Sequence, residues 1–372
     1  MRILCVFGTR PEAIKFIPVI KELNARNIDT IICDTGQHKE MTEQVLDLAG
    51  IKPDINLEIM QPNQTLTQVT LAMLEKMDTV LDEYNPDCVL VLGDTNTAFA
   101  ATLAAYYKKI AVGHIEAGLR SGDIYAPFPE EVNRRMASTI AKFHFAPTED
   151  AKSNLIKENI SDNIYVTGNT VVDALLYFRD KLYNDANLLN EIETALPFFN
   201  TDKKTILVTA HRRENFGDGF KNICDALLEI ANRDDTQIVL PVHPNPNVKN
   251  IVEEKLGNTP NIHLIPPQHY LPFIYMMDKS YLIMTDSGGI QEEAPTLGRP
   301  IIVMRKNTER PEGVDAGTAI LVGTNREKIV SSVFELLDNE NSYNKMSKAH
   351  NPYGDGNAAS KIVKILQNSI AN

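Results

Sequence analysis

Three carboxylates follow apolar segments in the first half of the chain, where they could move protons. Asp94 comes directly after CVLVLG, Glu116 follows IAVGHI, and Glu130 lies in YAPFPEE. Acids held at strand ends can serve one reaction as proton donor and proton acceptor. Structural alternatives exist for Asp94, as the cap of the next helix, and for Glu116, as the partner of Arg120. Glu130 has one too, as an acidic residue in a first helical turn.

Cationic residues in the first strand-to-helix connection could hold an anion. The segment GTRPE joins the first predicted strand to the first predicted helix, and Lys15 lies about one helical turn beyond Arg10. Two cations near the amino end of a helix suit a phosphate group, because backbone amides are unpaired there. The alternative is that Arg10 lies at the sheet edge without a ligand and that Lys15 is solvated.

A glycine-rich motif, DSGG, follows a predicted strand in the second half of the chain. The Ser287 hydroxyl and the bare backbone amides of Gly288 and Gly289 would suit a diphosphate. Glu292 or Glu293, in the next helical turn, could accept hydrogen bonds from ribose hydroxyls. An ordinary turn with a capping serine is the structural alternative.

Two further residues of the second half favour a nucleotide ligand. His211, in AHRREN, lies where a predicted strand ends and could meet a pyrophosphate or a leaving oxygen. Arg310, in NTERPEG, adds a cation downstream of the glycine-rich motif. Lone histidines are more often structural, and it is the position at a strand end that favours a role for His211.

The segments that carry these motifs alternate between short β-branched runs and longer helical patterns, which predicts βαβ units and parallel sheets. The alternation runs through the chain twice. We therefore expect an α/β fold with two doubly wound domains, residues 1–175 and 176–357, and a last helix, 358–372, that could return to the first domain. Because ligands of such sheets bind beyond the carboxyl ends of the strands, we expect one site in a cleft between the domains.

Composition excludes several classes of protein. The 372 residues include 37 Lys and Arg against 49 Asp and Glu, a formal net charge of -12, which argues against a nucleic-acid or anionic membrane partner. No apolar run approaches the ~18 residues of a membrane span. The amino-terminal segment lacks the pattern of a signal peptide, so we expect a cytoplasmic protein.

Motif searches point away from bound metals and cofactors. The sequence has no HExxH, DxDxDG or CxxC motif, and we expect no metal. It has no GxxxxGK[ST] loop, and its GxGxxA match at 354–359 follows NPY instead of a strand. We therefore expect no cofactor and interpret the nucleotide as a substrate.

Ordered motifs along essentially the whole chain closely resemble the bacterial non-hydrolysing UDP-N-acetylglucosamine 2-epimerases. The matching segments are FGTRPEAIK, GDT, HIEAGLRSGD, PEE, GNTVVDAL, HRREN, TDSGGIQEEAP, ERPE and NPYGDG. The resemblance implies two Rossmann-like domains of the GT-B type, a homodimer, and interconversion of UDP-GlcNAc and UDP-ManNAc for bacterial surface polysaccharide.

The resemblance also implies roles for individual residues. In that family the diphosphate and uridine side would be held by Arg10, His211, the loop from Ser287 to Gly289, and Arg310. Lys15 would line the same cleft, Glu293 would bind the ribose, and Gln268 with Phe273 would bind the uracil. Asp94, Glu116 and Glu130 would act at the sugar, with His211 as a further catalytic residue. Which carboxylate acts on which face of the sugar stays open.

The chemistry that the resemblance implies is elimination of UDP to 2-acetamidoglucal and its addition back after proton delivery to the opposite face of C2. Two other activities stay open. A hydrolysing 2-epimerase would release free ManNAc and UDP, and a GT-B glycosyltransferase would transfer the sugar to an acceptor.

Overall fold

The computed structural model describes residues 1–199 and 202–370, and this part of the chain forms two compact units. Unit 1 comprises residues 1–174 and the segment from Tyr353 onward. Unit 2 comprises Leu175–Pro352. Each unit contains one parallel sheet covered by helices, so the expected α/β fold with two Rossmann-like sheets is confirmed.

The sheet of unit 1 has seven strands within the described residues: β1 (Arg2–Phe7), β2 (Asp29–Asp34), β3 (Ile55–Asn56), β4 (Cys88–Leu92), β5 (Ala111–Ile115), β6 (Phe143–Ala146) and β7 (Ile164–Val166). Their order in the sheet is β3-β2-β1-β4-β5-β6-β7, with all neighbours parallel. The chain order therefore reverses between β1 and β4, the point at which such sheets bind ligands.

The helices from the amino-terminal half are α1 (Arg10–Ala25), α2 (Lys39–Ala49), α3 (Leu66–Tyr84), α4 (Asn96–Tyr107), α5 (Glu130–Ile140), α6 (Glu149–Lys157) and α7 (Thr170–Asn184). The last of these crosses from unit 1 into unit 2. α4 packs on α3 and β4 through a face of small buried alanines, which lets the backbones approach closely.

The sheet of unit 2 has six strands within the described residues: β8 (Lys204–Thr209), β9 (Thr236–Pro241), β10 (Ile262–Ile265), β11 (Leu282–Thr285), β12 (Ile301–Val303) and β13 (Ala319–Leu321). Their order is β10-β9-β8-β11-β12-β13, again parallel, and it reverses between β8 and β11. Central strands such as β4 and β11 are buried along their whole length, as expected where helices cover both faces.

The remaining α-helices are α8 (Ala186–Ala195), α9 (Asp218–Ala231), α10 (Pro246–Leu256), α11 (Tyr270–Lys279), α12 (Gly288–Glu293), α13 (Pro311–Asp315), α14 (Arg326–Asp338), α15 (Glu340–Ser347) and α16 (Ala358–Ile370). Short 3-10 helices occupy Pro197–Phe199, Arg213–Asn215 and Ala294–Leu297.

The carboxyl-terminal helix α16 packs on α1 in unit 1. Arg26, which follows α1, donates hydrogen bonds to Gln367 and Ser360 of α16 at 2.9 and 3.0 Å. Of the helix expected at 358–372, residues 371 and 372 lie outside the described residues.

Candidate functional site

A buried carboxylate, Glu12, ties together the two loops that carry Arg10 and Asp94. Its Oε2 accepts hydrogen bonds from the amides of Gly8 and Thr9 and from the Thr9 hydroxyl, at 3.2, 2.9 and 2.7 Å. Its Oε1 accepts a hydrogen bond from the Thr95 hydroxyl at 2.6 Å. Burial raises the pKa of Glu12, although these hydrogen bonds oppose the rise. Glu12 therefore fixes the loop after β1 against the loop after β4.

Asp94 lies at the end of β4 beside a buried cation. Arg134 of α5 contacts its Oδ2 at 2.7 Å, and Asn133 donates a hydrogen bond to its backbone carbonyl at 3.0 Å. Burial raises the pKa of Asp94, Arg134 opposes the rise, and the charges of Glu116 and Glu130 add to it. The helix cap at this point is Thr95, whose hydroxyl accepts from the Ala98 amide, so the alternative that Asp94 is the cap is wrong.

Glu116 is held between two donors in a strained backbone conformation. Lys15 Nζ lies 2.6 Å from its Oε1, and Asn169 Nδ2 donates to the same oxygen at 2.9 Å. The residue has φ +63, a left-handed conformation that costs a non-glycine residue about 1 kcal/mol or more. A Cβ at Gly93 would come within 3.3 Å of its Oε2, so glycine there leaves room for the carboxylate.

The partners of Glu116 bear on two expectations. Arg120 forms its ion pair with Glu158, at 2.7 Å, so the alternative that Glu116 is held by Arg120 is wrong. Lys15, for which the sequence predicts a place beside a phosphate, forms an ion pair with the catalytic candidate Glu116. Arg10 is the first residue of α1, and its charge adds to the burial that lowers the pKa of His38.

Two adjacent glutamates begin α5 and have different surroundings. Glu130 lies in the first turn of α5, which is the position that its structural alternative predicts. Its Oε2 is shielded from solvent and has no hydrogen-bond partner among the described residues. Glu131 is fully buried and accepts from the Ser121 amide and from Arg135, both at 3.0 Å. Glu131 therefore anchors the loop before α5, whereas Glu130 has one oxygen that no described residue binds.

In unit 2, the fully buried Asp286 organises the loop after β8. Its Oδ2 accepts hydrogen bonds from the amides of His211 and Arg212, at 2.9 and 2.8 Å, and from Asn215 Nδ2 at 3.2 Å. Its Oδ1 lies 3.3 Å from His211 Nδ1. The DSGG motif therefore supplies both the start of α12 and the anchor of the histidine loop.

The imidazole of His211 stacks on that of His243, with the ring centroids 5.6 Å apart. Burial lowers the pKa of His211, Asp286 opposes this, and Arg212 and His243 reinforce it. Since burial favours its neutral form, the ring can donate or accept a hydrogen bond near neutral pH.

Open space surrounds the glycines of the DSGG motif. Ser287 precedes α12 without a capping hydrogen bond from its side chain, and a Cβ at Gly288 or Gly289 would meet no atom within 4 Å. Neither glycine has a positive φ. Backbone conformation and protein packing therefore do not require glycine at these positions, whereas close approach of a ligand would.

The two acids of α12 face different partners. Glu292 forms an ion pair with Arg310, and Glu293 accepts a hydrogen bond from the Tyr270 hydroxyl at 2.9 Å. Of the two candidates for binding the ribose, Glu292 is therefore paired with Arg310, the cation that the sequence predicts at the nucleotide. Arg310 is the residue that caps α13.

The uracil candidates lie around the start of α11. Gln268, in the loop after β10, donates a hydrogen bond to the Pro266 carbonyl at 2.8 Å. Phe273 is a partly buried residue of α11. The Tyr270 ring, one turn earlier on α11, packs edge-on against Phe178, with the centroids 5.3 Å apart.

The structure thus brings four of the predicted residues together in unit 1, whereas Arg10 lies near His38. In unit 1, Lys15, Asp94, Glu116 and Glu130 interact electrostatically around the carboxyl ends of β4 and β5. In unit 2, the predicted residues follow β8, β10, β11 and β12. Sequence reasoning assigned no role to the supporting residues Glu12, Arg134, Asn169 and Asp286. Three of these lie in motifs that were noted, and Arg134 is one helical turn beyond Glu130.

Two further features of the described residues concern membranes and metal ions. Among the described helices, none is both long enough and apolar enough to cross a membrane. Within the same residues, no group of three or more His, Cys, Asp or Glu side chains has an arrangement that could hold a metal ion.

Comparison with known proteins places this geometry in a family. The family model described as UDP-N-acetylglucosamine 2-epimerase matches residues 21–367. The UDP-N-acetylglucosamine 2-epimerase of Escherichia coli K12 is 54% identical over 373 residues, which cover 99% of each chain. The Neisseria meningitidis UDP-GlcNAc 2-epimerase, whose crystal structure is bound to UDP-GlcNAc, is 51% identical in sequence. Its structure matches with a TM-score of 0.92 over 99% of this chain and 100% of that one.

A more distant structure shares the same architecture. The Methanocaldococcus jannaschii UDP-GlcNAc 2-epimerase in complex with UDP-GlcNAc and UDP is 39% identical, with a TM-score of 0.80, over 99% of this chain and 100% of that one. The family model and the bacterial relatives each match nearly the entire chain. The chain therefore belongs to the UDP-N-acetylglucosamine 2-epimerase family.

Proposed function

We propose that this protein reversibly converts UDP-GlcNAc to UDP-ManNAc by inverting C2 of the sugar. The observation that carries the proposal is the set of three carboxylates at the ends of β4 and β5 and the start of α5. They interact with one another, and one of them lies against Lys15. Binding of UDP alone would call for cations, whereas this set provides groups that exchange protons.

The chemistry explains why carboxylates suffice. The C2 hydrogen of the sugar is not next to a carbonyl, so a carboxylate cannot remove it from the ground state. As the C1–O bond breaks, its electron pair leaves with UDP and C1 becomes an oxocarbenium centre. A base then takes the C2 proton, and the C2–H electron pair forms the C1=C2 bond of 2-acetamidoglucal. In the return step, an acid protonates C2 from the opposite face and a phosphate oxygen of UDP attacks C1.

The surroundings of the acids support a division of labour. Burial raises the pKa of Asp94, which favours its protonated form and suits a proton donor. The Lys15 ammonium lies 2.6 Å from Glu116 Oε1, and a neighbouring cation suits a carboxylate that acts as proton acceptor. Because epimerisation is reversible, the two groups exchange roles in the return direction. Glu130, whose charge acts on Asp94, would act at the sugar beside them, as the family resemblance implies.

Unit 2 would hold the nucleotide. The open space over Gly288 and Gly289 would admit a diphosphate, and Arg310 and His211, whose backbone amide is anchored by Asp286, would stabilise the negative charge that develops as UDP departs. Arg10 would add a further cation, as the family resemblance implies. Glu293 would receive the ribose, and Gln268 with Phe273 the uracil, as the family resemblance implies.

Proton NMR of the purified, dialysed protein with UDP-GlcNAc in deuterated water, without added cofactor, tests the proposal. We expect UDP-ManNAc to appear and deuterium to enter C2 of both sugars, because the proton removed exchanges with solvent. Epimerisation with protium retained at C2, or activity only after a nicotinamide coenzyme is added, would contradict the elimination route. Free ManNAc with UDP would identify a hydrolysing enzyme, and sugar transfer to an acceptor a glycosyltransferase.

We also propose that the protein is a homodimer and that it is located in the cytoplasm. The dimer is supported by large apolar side chains exposed on α3 and α4, namely Leu66, Leu71, Tyr106 and Tyr107, which are 48 to 67% exposed. Light scattering should give twice the 41.5 kDa chain mass, and a mass equal to that of one chain would contradict the dimer. Cell fractionation tests the location.

A further inference from the structure

We infer that Asn169 is a positioning residue that sets the orientation of the Glu116 carboxylate, and that the carboxyl-terminal segment returning from unit 2 holds Asn169 in place. The inference rests on the proposed function for the role of Glu116. The contacts that carry it lie within unit 1.

Glu116 needs external support because its own backbone does not favour the observed conformation. The residue is left-handed without being glycine, and its side chain is only 8% exposed. Lys15 and Asn169 both donate to Oε1, from α1 and from the start of α7. A flexible ammonium fixes charge but little direction, whereas a planar amide fixes the plane and the angle of its hydrogen bond.

The orientation of the Asn169 amide is determined by its own partners. The residue is 2% exposed, and its Oδ1 accepts a hydrogen bond from the Val171 amide at 3.0 Å. Nδ2 then points to Glu116. The reverse orientation would bring Nδ2 against an N–H donor and Oδ1 against a carboxylate, so the amide has one favourable arrangement.

The returning segment fixes the backbone of Asn169. The Asn169 amide donates to the Tyr353 carbonyl at 2.7 Å. A Cβ at Gly168 would come within 3.3 Å of both the Tyr353 carbonyl oxygen and Gly354 Cα, and Gly168 has φ +89, so glycine permits this close approach. The motifs GNTVVDAL and NPYGDG therefore meet beside the candidate site, at the two places where the chain passes between units.

Two substitutions separate positioning from folding. N169S keeps a side-chain oxygen for the Val171 amide but is too short to reach Glu116. N169D keeps the size and places a second carboxylate about 3 Å from Glu116 Oε1, which opposes ionisation of the pair. Lys15, Asp94 and His114 are charged or titratable groups that face Glu116, and both variants leave them unchanged.

The matched control is N261D in unit 2. Asn261 Nδ2 also donates to oxygen acceptors, the carbonyls of Ala231 and Arg233 at 2.9 and 3.3 Å, but it precedes β10, whereas the site residues follow the strands. N261D therefore measures the effect of an Asn-to-Asp change on folding alone.

The experiment compares kcat, KM, UDP affinity by calorimetry and the pH profile of kcat for the wild-type, N169S, N169D and N261D proteins. An inactive wild-type protein would overturn the proposed function itself. With an active wild type, we expect kcat to fall about 10- to 100-fold in both Asn169 variants, while KM and UDP affinity change less than about threefold. N261D should keep kcat within about twofold.

The pH profile gives a readout that folding defects do not move. Whether Glu116 acts ionised or protonated, the limb of the profile that it sets should move to higher pH in N169D, because a neighbouring carboxylate makes its proton harder to remove. Wild-type kcat and profile in folded N169S and N169D would overturn the inference. So would a kcat loss matched by N261D with the profile unchanged.

Discussion

Raising the pH should weaken the attachment of α16 through one buried carboxylate, Asp173. Asp173 lies in α7 and is 7% exposed, and its two oxygens accept hydrogen bonds from the amides of Ala358 and Ala359 at 3.2 and 2.9 Å. It therefore caps the helix that returns to unit 1 from the other end of the sequence.

The size of the effect follows from its pKa. Burial raises the pKa of Asp173 from 3.8 to about 6, against the hydrogen bonds from the two amides, and Asp355 adds to the rise. The folded protein thus binds this proton more tightly than the unfolded chain does. Its stabilising contribution is complete below pH 3.8 and is lost as the pH rises through about 6. A shift of this size corresponds to about 3 kcal/mol.

Urea unfolding of the wild-type protein and of D173N between pH 4 and pH 7.5, followed by circular dichroism, measures this contribution. Other titrating groups cancel in the difference between the two proteins, and asparagine does not ionise. We expect the stability of D173N relative to the wild type to increase by about 2.4 kcal/mol across this range, because part of the total of about 3 kcal/mol is already lost at pH 4. D218N, at a side chain that is 94% exposed, is the control and should differ from the wild type by a constant amount.

A difference between D173N and the wild type that stays constant with pH would refute the reasoning. It would mean that the amides of Ala358 and Ala359 stabilise the carboxylate enough to cancel its burial. A difference that falls with rising pH would mean that these hydrogen bonds outweigh burial.

Two substitutions test the roles in the candidate site. In K15M, kcat should fall about 100-fold, because Lys15 contacts Glu116, and UDP affinity should change less than about threefold. Calorimetry measures the affinity and NMR measures turnover. A large loss of UDP affinity with kcat retained would instead place Lys15 at the diphosphate. In D94N, turnover should fall on the order of 100-fold or more with UDP binding nearly intact, as expected for loss of an acid-base group. Collapse of UDP affinity in D94N would show that Asp94 is structural.

The local sequence was sufficient to predict the fold class and the strand ends. Short β-branched runs followed by amphipathic segments define βαβ units, because side-chain periodicity depends only on neighbours in the chain. Parallel strands in one sheet bring their carboxyl ends to one edge, so motifs such as GDT, HIEAG and DSGG could be placed near ligands before any contact was known.

The partners within the site were decided by tertiary structure. Lys15 and Glu116 are 101 residues apart, and the nearby cation Arg120 turned out to pair with Glu158. The left-handed backbone of Glu116 has no sequence signal, because glycine and asparagine, and not glutamate, mark such positions.

The sequence by itself determined which elements form and which polar residues end them, since both depend on short-range patterns. Only the packed sheet decided which cation neutralises which acid, that Glu12 joins two loops, and that the segment around Tyr353 returns to hold Asn169. The physical reason is that such partners are chosen by strand order and close packing, which bring together residues far apart in the chain and leave little trace in either local segment.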